Sequence, residues 1–235
     1  MLRIEFFHDV ICSFCFPMSA RLRAIVRELS NVEVVHKSFA LGWTEEDFIQ
    51  MFGSRKQVKP EVLTHWAHAN ENDEQHRFNI EGMRAESFDF PTSRNGLLAA
   101  KAAGLVGGQM MYWEVFDKLQ EGLFVQNKNI EDPSVIESLV KQTSIDFDEW
   151  QSQFAAPETV QAVEEDFRLA QTYNLQGVPA LIVNEKYLIS GAQPAEVILD
   201  NLKKIAEKEQ TTIQLEVMGD NKAACQLEDG KWACE

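Results

Sequence analysis

Hydrophobic positions along the chain change period more than once. Leu2 to Ile11 (L-R-I-E-F-F-H-D-V-I) is rich in β-branched and aromatic residues and predicts a mostly buried strand. Ala20, Leu22, Ile25, Val26 and Leu29 then recur at helical spacing until Ser30 and Asn31 supply stop residues. Val32 to Phe39 alternates and predicts a second strand, parallel to the first across that helix. From Trp43 onward three- and four-residue spacing dominates, predicting helices near 44–53, 60–77, 92–104, 109–121, 132–142, 146–154 and 157–173. Thr92 or Ser93, Asp132 before Pro133, and Pro157 before Glu158 mark helix starts, whereas Gly104 and Gly107-Gly108 mark breaks. The Met110, Met111, Tyr112 and Trp113 cluster reads as helical core. Strand signals return at Ala180 to Val183 and Tyr187 to Ser190, and a last helix is expected from about Pro194 to Lys208.

The resulting order is strand, helix, strand, helical block, strand, strand, helix. Setting aside residues 42–171 leaves 1–41 and 172–210, which have the order and size of a minimal thioredoxin fold. The expected architecture is therefore an α/β thioredoxin-like domain (1–41 and 172–210). It carries a large all-helical insertion (42–171) between its second and third strands and a C-terminal tail (211–235). With 235 residues, 45% hydrophobic and 25% charged, the chain can bury a core without cross-links. Its 22 basic and 37 acidic residues give a net charge of −15, which argues against nucleic acid or an anionic membrane as a partner. Glu5, His8 and Asp9 fall where a secretory signal would need apolar residues, and no small-residue cleavage site follows, so a cytoplasmic location is expected. No apolar run approaches the length of a membrane-spanning helix.

Cysteine placement carries the chemistry. Cys12 and Cys15 lie near the start, Cys225 and Cys234 near the end, and none stands between the pairs. A zinc site needs four ligands at knuckle spacing, and only the first pair has it; His65, His68 and His76 lie in a polar helical stretch. No metal is expected, and the redox reading is preferred. Cys12-Ser13-Phe14-Cys15 falls at a strand-to-helix junction. Unpaired backbone N–H groups and the helix dipole there favour a thiolate at Cys12. Cys15, one turn along, would lie within reach but further inside. Cys12 is thus the expected nucleophile and Cys15 the resolving thiol. In the tail, Asp229-Gly230 is a two-residue hairpin signal that sets Glu228 against Lys231, Leu227 against Trp232 and Cys225 against Cys234. A disulfide between Cys225 and Cys234 is expected at that spacing.

Gly177-Val178-Pro179-Ala180 precedes the third strand. Together with Phe7-His8-Asp9-Val10-Ile11-Cys12-Ser13-Phe14-Cys15, Ser190-Gly191-Ala192-Gln193 and the Ala-rich stretch from Leu97 to Gly104, it resembles the DsbA-like thioredoxin-fold family. More narrowly, the chain is similar to the FrnE-type thiol–disulfide oxidoreductases, the branch also described as 2-hydroxychromene-2-carboxylate isomerase-like. The resemblance implies a cis Pro179 facing Cys12 and Cys15, with the Val178 backbone pairing with an extended substrate. It also implies that the tail pair can act as an auxiliary redox centre; a passive clip is the alternative. Ser13-Phe14 departs from the dipeptides usual between the cysteines, and His8 stands where a small residue is frequent.

The implied activity is disulfide exchange with protein, peptide or low-molecular-weight thiols, with no cofactor beyond the redox pair. Glutathione stays open as substrate or reductant. The runner-up is a glutathione-dependent isomerase or transferase of the kappa-class-like branch, whose members generally carry serine where this chain has Cys12. A zinc-binding or chaperone-like module ranks third. His8 or Asp9 is expected to tune the Cys12 thiol, and Phe14, with Phe16, Pro17 and Met18, is a candidate apolar substrate platform.

Overall fold

The computed structural model describes residues 1–29 and 31–210 and the strand segments 225–228 and 231–234. Its main sheet contains β1 (Leu2–His8), β2 (Val32–Ser38), β3 (Ala180–Val183) and β4 (Tyr187–Ser190) in the order β2-β1-β3-β4. β1 runs parallel to β2, with Leu2 opposite Val32 and His8 opposite Ser38, while β3 pairs antiparallel with β1 and β4 with β3. β1 is buried along nearly its whole length because both sheet faces are covered. Ile4 and Phe6 join the main core, whereas Phe7 packs with Ala170, Ala180 and Ile182 on the other face.

Between these strands lie α1 (Cys15–Glu28), α2 (Glu45–Phe52), α3 (Arg55–Asn72), α4 (Ile80–Ala85), α5 (Arg94–Phe124), α6 (Pro133–Val140), α7 (Phe147–Phe154) and α8 (Pro157–Thr172). α9 (Ala195–Gln210) follows β4. The main core runs without interruption from Ile4 and Leu22 through Trp66, Phe116 and Trp150 to Leu202. The helical insertion therefore shares one hydrophobic core with the sheet. β2 lies at an edge of the sheet, and two of its N–H groups are engaged by side chains: His36 donates to Gln109 at 2.7 Å and Ser38 to Asp166 at 2.8 Å.

Several expected boundaries move. The first strand stops at His8 rather than Ile11, because Asp9 begins a turn. α3 starts at Arg55 rather than residue 60: Gly53 (φ +81°) ends α2, the next helix begins at once, and Pro60 is accommodated inside it on an exposed side. α4, six residues long and capped by Asn79, is too short to show a helical period. The expected helices at 92–104 and 109–121 are two halves of α5, joined at a kink where Gly107 and Gly108 leave helical geometry. Gly104 is not a break. It is helical, and a side chain there would meet the Tyr112 ring at 2.8 Å. The Met110 to Trp113 cluster divides: Tyr112 and Trp113 are core, whereas Met110 is 77% exposed.

In the tail, β5 (Cys225–Glu228) and β6 (Lys231–Cys234) pair antiparallel, with Cys225 opposite Cys234 and Leu227 opposite Trp232, the register expected from the Asp-Gly signal. The Asp229-Gly230 turn, residues 211–224 and the state of the Cys225 and Cys234 sulfurs lie outside the described residues.

Candidate active site

After His8 the chain turns so that the Cys12 N–H donates to the Asp9 carbonyl at 3.2 Å. The Cys15 N–H donates to the Cys12 carbonyl at 3.0 Å and that of Phe16 to Ser13 at 3.3 Å, opening α1. Cys12 therefore heads the turn leading into α1, and Cys15 is its first helical residue. No side chain caps this end and its first turn holds no acidic residue, so the positive end of its dipole faces the motif without a compensating carboxylate. Cys12 keeps 4% of its surface and Cys15 none.

The Cys12 Sγ lies 3.6 Å from the Val178 carbonyl, and the Val178–Pro179 peptide bond is cis. Gly191, at φ +77°, donates its N–H to the Pro179 carbonyl at 2.9 Å. The buried Arg21 of α1 reaches the Ala192 and Gln193 carbonyls at 3.2 and 3.1 Å. The three separated sequence signatures thus meet at one place.

Burial pushes the Cys15 thiol well above its ordinary pKa. A hydrogen bond and charge interaction with Cys12 push the same way, as does the Asp9 charge, while the Asp9 N–H pulls it back. Asp9 is itself fully buried. Its Oδ1 accepts from the Ile11 N–H at 3.2 Å, and its Oδ2 from the Leu41 N–H and the Ser93 hydroxyl, both at 2.6 Å. Desolvation outweighs these donors and raises its pKa from 3.8 to about 6. His8 is turned to a different neighbourhood. Its Nε2 meets His36 Nδ1 at 3.1 Å, and its ring packs against Phe116 at 3.9 Å and Tyr112 at 5.5 Å. Burial, reinforced by His36 and Lys101, drives its pKa well below the usual value, so His8 is held neutral and has no charge to lend a thiolate.

Beside Cys12 opens a groove of about 260 Å³ lined by Phe14, Leu41, Phe48, Met51, Phe52 and Val178, among others. Phe14 is half-buried on its wall, whereas Phe16 and Met18 are buried in the core. Among the described residues, His65 is the single ionisable side chain on the lining apart from Cys12. Among the described residues no group of three or more His, Cys, Asp and Glu is arranged to hold a metal, and no helix is long and apolar enough to cross a membrane.

The sequence matches the model of the DSBA-like thioredoxin domain over residues 3–203. The chain belongs to the DSBA-like thioredoxin domain family. A probable DsbA oxidoreductase from Streptomyces coelicolor superposes with a TM-score of 0.70 at 21% identity, covering 100% of both chains. The cytosolic disulfide reductase DsbM from Pseudomonas aeruginosa, solved with GSH, gives 0.66 at 15% identity, covering 88% of this chain and 98% of that one. A 2-hydroxychromene-2-carboxylate isomerase gives 0.62 at 10% identity, covering 88% and 97%. A search of curated protein sequences finds no match.

This DSBA-like domain thus brings together Cys12, Cys15, Val178, Pro179, Phe14 and Asp9, and leaves His8 apart. Sequence reasoning missed Gln120, Ser93 as a partner of Asp9, and the groove residues of α2. Gln120 left a legible signal: it stands four residues after Phe116 and three before Leu123, a polar residue in an apolar helical stripe. Ser93 was legible as a helix start, but its partner lies 84 positions away.

Proposed function

We propose that this chain is a cytoplasmic thiol–disulfide oxidoreductase in which Cys12 attacks and Cys15 resolves. One observation carries the reading. Cys12, at the uncapped start of α1, keeps surface and stands 3.6 Å from the carbonyl before the cis proline, while Cys15 is enclosed and held protonated.

The Cys12 thiolate attacks one sulfur of a substrate disulfide, forming a mixed disulfide and releasing the other sulfur as a thiolate. Cys15 then gives up its proton and attacks the Cys12 sulfur. The Cys12–Cys15 bond forms, the mixed disulfide breaks and the second substrate thiolate leaves. Two electrons pass from the dithiol to the substrate, and the reverse sequence oxidises a substrate dithiol. Asp9, whose charge Cys15 feels, is the acceptor we assign for the Cys15 proton. The position of Val178, with its carbonyl 3.6 Å from the Cys12 Sγ, supports pairing of an extended segment beside Cys12.

The lining of the groove favours an apolar segment of a protein as substrate. Among the described residues it offers no Lys or Arg to the two carboxylates of glutathione. The competing reading, a glutathione-dependent isomerase or transferase, draws support from the DsbM neighbour solved with GSH. The Cys225–Cys234 bond remains part of the proposal, supported by the register that opposes the two positions.

The deciding experiment compares Cys12→Ser and Cys15→Ser. A disulfide exchanger loses activity in C12S and accumulates a mixed disulfide in C15S, visible by intact mass. Glutathione-linked isomerase or transferase activity that survives in C12S overturns the reading.

A further inference from the structure

Gln120, on the second half of α5, is fully buried and stands behind the redox loop. Its Nε2 faces three loop carbonyls, those of Asp9 at 3.3 Å, Val10 at 3.5 Å and Cys12 at 3.4 Å. The Asp9 and Cys12 carbonyls already accept the N–H groups of Cys12 and Cys15 that form the turn. The amide is therefore a second donor to the same oxygens. Three acceptors on one side fix its orientation, since a carbonyl end turned toward them would be repelled. The other end bears the cost: Gln120 Oε1 is buried without a donor among the described residues. Three long, shared hydrogen bonds set against an unsatisfied buried acceptor make a weak case for stability alone, because a leucine or methionine of similar size would escape that penalty.

We propose that Gln120 is a positioning residue that sets the redox equilibrium of the Cys12–Cys15 pair through the loop carbonyls. The inference rests on the disulfide-exchange reading above. Carbonyl oxygens are the negative ends of peptide dipoles, and these three surround the segment that carries the nucleophilic sulfur. Amide hydrogens aimed at them offset that negative potential in a buried, low-dielectric site. A thiolate at Cys12 is stabilised by this arrangement, whereas the uncharged disulfide gains nothing from it. Gln120 thus favours the dithiol form and makes the pair more oxidising, as stabilisation of a reduced form does in general.

The test is the equilibrium of the full chain against a glutathione redox buffer, for wild type, Gln120→Leu and Gln120→Met, with thermal unfolding measured alongside. Removing the donors shifts the constant about tenfold toward the Cys12–Cys15 disulfide, a potential about 30 mV more negative. A purely structural role lowers the melting temperature and leaves the constant within twofold of wild type; that result overturns the proposal. Should neither variant fold, the side-chain amide resonance of Gln120 in wild-type protein decides: it moves between dithiol and disulfide forms, or the proposal is wrong. Wild-type protein that shows no Cys12–Cys15 exchange at all defeats the oxidoreductase reading itself. An exchanging wild type with unshifted variants defeats the role of Gln120 alone.

Discussion

Replacing Asp9 by asparagine isolates one buried proton. The carboxylate is fully enclosed and receives donors from Ile11, Leu41 and Ser93, yet burial lifts its pKa from 3.8 to about 6. Between those two values the native state holds a proton that the unfolded chain has released. Asp9 therefore contributes stability that is present in full below about pH 4 and is lost as pH rises through 6. A gap of about two pKa units corresponds to about 3 kcal/mol. Asparagine does not titrate, so the stability difference between wild type and D9N should fall by about 3 kcal/mol from about pH 3 to about pH 8. Urea unfolding of both proteins at fixed pH steps, under reducing conditions, measures it.

His8 and His36, both held neutral by burial, destabilise the fold as pH falls below the usual histidine range, but they do so in both proteins and cancel. The asparagine amide meets donors intended for a carboxylate, which offsets the whole D9N curve without changing its slope. A difference that is flat across this range would show that the donors balance desolvation, and one that grows with pH that they outweigh it; either would refute the argument. The same titration governs the proposed chemistry. Below about pH 6 Asp9 is protonated and cannot accept the Cys15 proton, so attack of Cys15 on the mixed disulfide, and with it release of the substrate thiol, slows in wild type. D9N loses that inflection.

Two further outcomes are expected. Met51 lines the groove and is 53% exposed, so Met51→Glu should leave the melting temperature nearly unchanged. It should lower kcat/KM for an apolar peptide disulfide about tenfold, about 1.4 kcal/mol, and leave a small aromatic disulfide unaffected; equal losses on both would remove the groove from substrate binding. Gly108 occupies φ +71° and ψ −167°, a region open to glycine alone, with nothing within 4 Å of an added Cβ. Gly108→Ala should cost about 1–3 kcal/mol by backbone strain in thermal unfolding, and an unchanged stability would mean that the kink is not imposed there.

Much of this arrangement was legible because it is written in local pattern. The strands at Ala180–Val183 and Tyr187–Ser190, the helix starts at Pro133 and Pro157, the Gly107-Gly108 kink and the Cys225–Cys234 register each depend on residues close in sequence. The cis bond before Pro179 came through resemblance, since nothing in its neighbours' periodicity encodes it. What escaped was long-range. His8 ends β1 and Asp9 begins the turn after it, so local pattern could name both as candidates but could not say which one meets the sulfurs. The choice is made by Ser93 and Leu41 closing on Asp9, and by His36, Tyr112 and Phe116 closing on His8. Those partners come from β2, the loop after it, and α5.

The insertion therefore belongs to the proposed redox site as much as the thioredoxin-like frame does. The kink at Gly107-Gly108 folds α5 back so that both halves reach the same loop. Ser93, the residue before its first turn, bonds Asp9, and Gly96 packs so closely on Val10 that a Cβ there would stand 2.5 Å from its side chain; from the second half, Gln120 faces the Asp9, Val10 and Cys12 carbonyls. Ser13-Phe14, between the cysteines, is one influence on the pair, and α5 is another acting from behind. Transplanting the Cys-Ser-Phe-Cys dipeptide into a relative should accordingly carry over only part of this chain's redox behaviour, because the carbonyl, carboxylate and amide environment of the loop is built by a helix more than eighty residues away.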